Sequence, residues 1–216
     1  TGVGSLSEIF ADAGVPLQAF CECDPLLFAA LQAQHPESFS ASFVESDEWK
    51  DWHFEPQDFV VVVGGPPCTS LSVAGKRLAG QDPTSAHLFN HIRIAAYHHA
   101  ALIVLENVPW LVEGNEEHGL FTTLLAMASA HGYVLQHTWF LRDSECGGCS
   151  TRRRVFLIWE LVKHADCLDP WPSVVAESEF ESRSLSTILV PSNLVPEELW
   201  ISFHTRLPSG QPEPPN

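Results

Sequence analysis

A Rossmann-like, doubly wound and mostly parallel α/β sheet is the fold class that this 216-residue chain predicts. Three observations carry that prediction. Segments of helical spacing alternate with short apolar runs. Four consecutive valines, Val60 to Val63, suit a strand covered on both faces. Gly2 and Gly4 open a helical segment, and an acid, Glu22, closes the next strand about 20 residues on, the spacing of a nucleotide-binding turn.

The elements justify themselves in order. Gly2 and Gly4, followed by Ser5 and Leu6, precede apolar residues at helical spacing over residues 6–13, and Gly14 is a stop signal. A glycine turn that opens a helix lets a backbone approach a ligand and normally follows a strand, so the first strand expected there is either missing or outside the given sequence; an ordinary loop has the same sequence signature. Residues 17–23 read as the next strand, with Glu22 at its end either accepting from ribose hydroxyls or standing as a solvated charge. Asp24 and Pro25 supply an N-cap and a first helical residue for a helix over residues 25–34. The strand at residues 58–63 runs into Gly64-Gly65-Pro66-Pro67, which must end it and places Cys68 at the carboxyl edge of the sheet. Ligands of open α/β sheets bind at that edge, and a thiol there is activated by a helix start or a cation; the plainer alternative is a small buried thiol. A helix at 88–99, a strand at 101–105, a helix at 120–130 and strands at 133–141 and 155–159 complete the alternation.

Three blocks stand out within that frame: Pro66-Pro67-Cys68 with Ser72-Val73-Ala74-Gly75-Lys76-Arg77, then Glu106-Asn107-Val108-Pro109 after an apolar run, then Arg152-Arg153-Arg154-Val155-Phe156. Their order and spacing resemble the cytosine-5 methyltransferase family over residues 1–159. The resemblance implies a methyltransferase fold that binds S-adenosylmethionine through Gly2, Gly4, Ser5, Leu6, Glu22, Cys23, Asp47 and Pro67. Asp47 lies among Glu45, Asp47 and Glu48, a pattern that a solvated acidic loop also gives. Catalysis is implied for Cys68 as nucleophile, Glu106 as acid and Arg152 and Arg154 as holders of the base; a basic cluster paired with surface acids is the alternative for the arginines.

The chemistry explains the grouping. Carbon 5 of cytosine is a poor nucleophile until a thiolate adds at carbon 6, and a carboxyl at ring nitrogen 3 absorbs the charge that develops. Because carbon 6 is inaccessible in a duplex, the target must be flipped out. The family pattern is broken at Thr69, Thr84 and Ser150, which bears on substrate choice more than on reaction type. DNA is the implied polymer, with transfer RNA the nearest variant. A non-catalytic paralogue that binds a partner is a second class, and a nicotinamide oxidoreductase a third that leaves the Pro-Pro-Cys and Glu-Asn-Val-Pro blocks unexplained.

Charge opposes a nucleic-acid partner: 27 acids against 11 Lys plus Arg give a net charge of −16. Two explanations reconcile it with such a partner: a basic recognition domain or partner chain supplied elsewhere, which is the expectation, or a local grip through Lys76, Arg77, Arg93 and Arg152 to Arg154 with the acids facing elsewhere. Residues 1–163 read as the cofactor-binding catalytic domain, and residues 164–216 as a loop-rich tail resembling the entry to a recognition region, ending in a disordered stretch. No run of some 18 apolar residues and no amino-terminal signal is visible, so no membrane span is expected and the setting is intracellular, nuclear in a eukaryote and cytoplasmic in a bacterium. Cys146 and Cys149, with His164 and Cys167, have spacings compatible with zinc, and the Cys146–Cys149 pair also with a reversible disulfide, yet unpaired loop thiols are the expectation and no metal is assigned. His87 and His91, one turn apart, read as a solvated helix face.

Overall fold

The computed structural model describes residues 9–11, 14–55, 58–67, 85–146 and 150–163. Residues 9–11 are helical and are labelled α1. Strand β1 (Ala19–Cys21) leads through α2 (Pro25–Gln34) to β2 (Phe39–Ala41), and a 3-10 turn at Glu48–Asp51 precedes β3 (Val61–Gly64). Then follow α3 (Ala86–Tyr97), β4 (Leu102–Asn107), two single-turn helices α4 (Trp110–Glu113) and α5 (Asn115–His118), α6 (Leu120–Ala130), β5 (Tyr133–Arg142) and β6 (Arg153–Leu161). The α/β expectation holds.

Local chemistry sets the boundaries. The carboxylate of Asp24 accepts from the backbone N–H groups of Leu26 and Leu27 at 2.9 and 3.1 Å, and Pro25 occupies the first turn of α2, as the sequence predicts. The strands are shifted from their expected limits: β1 is shorter than 17–23, β3 begins at Val61 rather than at residue 58, and β4 extends through Glu106 and Asn107. β2, α4 and α5 were not predicted, because segments of three or four residues are too short to show a period.

Two sheets result. β1 and β2 pair in parallel, joined by the α2 crossover. The other sheet has the order β3-β4-β6-β5, parallel between β3 and β4 and antiparallel on both sides of β6. The antiparallel neighbour is β6: a connection of ten residues from β5 is long enough for a hairpin and too short for a crossover helix, so β6 must reverse.

One face of the larger sheet packs against α3 and α6. Leu88, Ile92 and Ala95 of α3 and Leu124 and Ala128 of α6 meet Ile103 and Leu105 of β4 and Leu157 and Trp159 of β6, all buried. Burying each large side chain is worth about 1.5–3 kcal/mol, enough to fix the register of β4 against β6. A separate cluster ties β2 and the 3-10 turn to α3: His98 stacks on Trp52 at 5.9 Å between ring centroids, and its Nε2 lies 2.8 Å from the carbonyl of Trp49.

Candidate active site

Strand register brings the sequence blocks together. Gly64 lies opposite Leu105 in the β3–β4 ladder, so the next residue, Gly65, comes beside Glu106. A side chain at position 65 would start 2.8 Å from Glu106 Oε2, so a larger residue there would displace the carboxylate from its place beside the turn. Asn107, buried beside it, donates through Nδ2 to the Pro66 carbonyl at 3.2 Å and accepts through Oδ1 from Val108 N–H at 2.9 Å. The Gly-Gly-Pro-Pro loop is thereby fastened to the end of β4, with Pro67 the last residue before Cys68.

The arginines arrive on β6. Glu106 is opposite Phe156, and Arg154, two residues earlier, points to the same face. Arg154 Nε lies 2.6 Å from Glu106 Oε1, with the two side chains 17% and 31% exposed. Burial pushes the Glu106 carboxyl above its ordinary range, and the Arg152 charge pulls it back only in part. Glu106 is thus a carboxyl that holds a proton more readily than a surface glutamate. Arg153 faces the other way: its Nη1 pairs with Glu113 of α4 at 2.7 Å and its guanidinium lies 4.8 Å from the Phe140 ring centroid. Ser150, where the family usually has glutamine, accepts from Arg152 N–H through its hydroxyl at 3.0 Å and so shapes the approach to the arginines.

Alternation along β6 gives a direct test. Arg154→Ala leaves a part-buried carboxylate without its partner and should lower stability by about 1–2 kcal/mol, read as a reduced urea midpoint. Arg153→Ala breaks an exposed pair and should cost under about 1 kcal/mol.

A cavity of about 670 Å³ opens at the ends of β1 and β3. Glu22, Cys23, Gly65, Pro66 and Pro67 line it, together with Phe10 of α1. Glu22 is oriented by the Asp24 N–H, which donates to its Oε1 at 3.0 Å. Asp47 does not line the cavity; its carboxylate pairs with Lys50 at 2.9 Å. Glu45 lines it instead, paired with His87 Nδ1 at 2.6 Å. Burial raises the Cys21 thiol to about 12, so this cavity cysteine carries no thiolate near neutral pH. Gly2, Gly4, Ser5, Leu6, Cys68, Thr69, Thr84, Cys149, His164 and Cys167 lie outside the described residues. Among the described residues no cluster of three His, Cys, Asp or Glu side chains is placed to hold a metal.

The solvated face expected for His87 and His91 is corrected. His91 is partly buried against the cavity, its Nε2 is 3.3 Å from the Val104 carbonyl, and a side chain at Gly64 would start 2.7 Å from its ring. Sequence gave no warning, because the contact depends on a glycine distant in the chain. Burial lowers His91 to about 4, below its ordinary 6.5, so the folded chain disfavours the protonated ring. The unfolded state then binds the proton first, and stability present above pH 6.5 is lost as pH falls toward 4. We expect urea unfolding at pH 5 to show about 1–2 kcal/mol less stability than at pH 7 from this group, and His91→Gln to reduce that difference.

Comparison with known proteins decides the family. A profile of the C-5 cytosine-specific DNA methylase family matches residues 1–191. The chain belongs to that family. It is 31% identical over 160 residues to the type II methyltransferase M.NgoPII of Neisseria gonorrhoeae, a match covering 73% of this chain and 45% of that one. To M.XorII of Xanthomonas oryzae it is 28% identical over 162 residues, covering 73% and 38%. Among solved structures, a prophage-encoded protein from E. coli described as a DNA modification methyltransferase superposes with a TM-score of 0.62 at 21% identity over 81% of this chain and 49% of that one. A variant of DNMT2 from Spodoptera frugiperda gives 0.55 at 19% identity, over 84% and 52%. These likenesses show the methylase fold. The chain spans half or less of the length of M.NgoPII and M.XorII and about half of the two structures.

Proposed function

We propose that this C-5 methylase chain carries the catalytic half of an enzyme that transfers a methyl group from S-adenosylmethionine to carbon 5 of cytosine in DNA. The observation that carries the reading is the convergence of the Gly65–Pro67 loop, Glu106 and Arg154 on one end of two adjacent parallel strands, beside a cavity lined by Glu22 and Cys23. The cofactor fits what lines that cavity: apolar walls for adenine and the methionine chain, and a fixed carboxylate, Glu22, for ribose hydroxyls. When bound, S-adenosylmethionine supplies the methyl group.

The chain's own residues do the rest in this reading. The Cys68 thiolate adds to carbon 6 of a flipped-out cytosine, forming the C–S bond as the ring's electron pair moves to carbon 5. Glu106 shares a proton with ring nitrogen 3 and so neutralises the charge that develops there. Arg154, and Arg152 with it, fixes Glu106 and holds the base carbonyl with guanidinium donors. Carbon 5 takes the methyl group as the methyl–sulfonium bond breaks with its pair kept on the donor's sulfur; a base then accepts the carbon 5 proton, the C–H pair restores the 5,6 double bond, and the C–S pair returns to Cys68 as the thiolate leaves.

Residues 1–163 form the catalytic unit in this reading, and residues 164–216 lead into a recognition region. The net charge of −16 supports placing the DNA-gripping surface on polypeptide other than these residues. Among the described residues no helix is long and apolar enough to cross a membrane. The test is transfer of labelled methyl groups to double-stranded DNA and, separately, to transfer RNA, with cofactor binding followed by calorimetry. Label in DNA supports the reading, label only in RNA reassigns the polymer, and no cofactor binding sinks it.

A further inference from the structure

Of the three acids between residues 45 and 48, two are engaged outside the cavity. Asp47 pairs with Lys50 at 2.9 Å, and Glu48 Oε2 accepts from the Ser42 N–H at 3.2 Å. Glu45 alone of the three lines the cavity. A closed turn sets its place: Ser46 donates to the Phe43 carbonyl through its N–H at 3.2 Å and its hydroxyl at 2.7 Å, and Trp49 Nε1 donates to the Val44 carbonyl at 3.2 Å. His87, in the first turn of α3, brings Nδ1 within 2.6 Å of Glu45 Oε1, and it lines the cavity too. The second carboxylate oxygen, Oε2, makes no bond to another described residue. A carboxylate held at one oxygen and open at the other can accept from a ligand's donor.

The place of the pair along the cavity mouth says which donor. β1 and β2 are parallel, and the Glu22 N–H donates to the Ala41 carbonyl at 3.2 Å, so Glu22 and Glu45 follow neighbouring strand ends. Burial chiefly raises the Cys21 thiol, and the Glu45 and Glu22 charges both add to that rise, so the two carboxylates act on one cavity atom. A nucleoside whose ribose rests on Glu22 must send its methyl-bearing end toward Gly65–Pro67, the loop that leads to Cys68. Its base then lies on the other side, over the end of β2. There Phe43, 54% exposed, lines the same cavity and offers an apolar surface to a purine.

We propose that His87 is a positioning residue that holds the Glu45 carboxylate against the base, and that this pair, rather than Asp47, makes the site choose a 6-amino purine over a 6-oxo purine. Adenine presents a donor at carbon 6, whereas hypoxanthine presents an acceptor that a carboxylate repels. The inference rests on the reading that the cavity takes S-adenosylmethionine, and it adds a residue and a selectivity to that reading.

Calorimetry on the 216-residue chain tests it with S-adenosylhomocysteine and S-inosylhomocysteine, which carry an amino and an oxo group at carbon 6. The parent chain should bind the adenosyl probe at least roughly tenfold more tightly. Glu45→Gln changes a side chain that is 46% exposed, so the fold should persist. Its amide can turn to donate, which should bring the two affinities within about threefold of each other, and His87→Ala should do the same. His87→Asn keeps a donor near the place of Nδ1 and should restore most of the preference. Asp47→Asn should leave it unchanged. A preference that survives Glu45→Gln or His87→Ala, or that disappears in Asp47→Asn, would overturn the inference while the cofactor reading stands. So would a parent chain that binds both probes equally. A parent chain that binds neither probe would sink the cofactor reading and this inference with it.

Discussion

Replacing Cys68 by alanine is expected to abolish methyl transfer while leaving S-adenosylmethionine binding within about twofold of the parent chain. Without a covalent bond at carbon 6, carbon 5 has no enamine electrons to offer, and neither proton sharing at nitrogen 3 nor the arginines can substitute. A loss on the order of 10⁴-fold or more is therefore expected, measured as labelled methyl groups incorporated per hour into cytosine-containing DNA. The assignment is also selective among cysteines. Cys21 lines the same cavity, but burial raises its thiol to about 12, so it holds its proton where a nucleophile must lose it. Cys21→Ala should leave the chemical step intact. If Cys68→Ala retained transfer and Cys21→Ala lost it, the nucleophile would have to be reassigned.

How much of this was legible in the sequence depends on the range of the interaction concerned. The start of α2 is dictated by neighbours in the chain, Asp24 and Pro25, and it lies where they predict. The opposed roles of Arg154 and Arg153 follow from the two-residue period of a strand, once β6 is known to begin at Arg153. Which acid of the 45–48 cluster faces the cavity was not legible. The 3-10 turn at Glu48–Asp51 sets Asp47 against Lys50 and leaves Glu45 to meet His87, and three charges within four residues carry no phase that would reveal it. His91 was missed for a related reason. Its helix shows an amphipathic pattern in which a histidine belongs on the wet side, but the missing side chain of Gly64 makes room for the ring. Asn107 sat in a recognised block without a role, and only the parallel register of β3 and β4 explains it, by bringing the Pro66 carbonyl within reach of its amide.

Glu106→Ala should lower methyl transfer by about 10²–10⁴-fold, the usual worth of a positioned general acid. Glu106→Gln sharpens the test, because it keeps a hydrogen-bond donor of the same size while removing the ability to ionise. The sign of the pH effect follows from the geometry. Burial raises the carboxyl above its ordinary value, so the proton that ring nitrogen 3 must share is present at low pH and is lost as pH rises through the raised value. Cys68 has the opposite requirement, since its thiolate accumulates as pH rises. The parent chain should therefore show a falling limb at high pH that Glu106→Gln lacks, its residual rate rising with thiolate until it levels off. The same substitution removes the negative charge that Arg154 meets at 2.6 Å, so part of any lost rate belongs to a guanidinium set loose near the base. The double variant Glu106→Gln with Arg154→Ala separates the two contributions. If Arg154 works mainly by holding Glu106, the double variant transfers no more slowly than Glu106→Gln alone; if Arg154 also grips the base, the losses multiply.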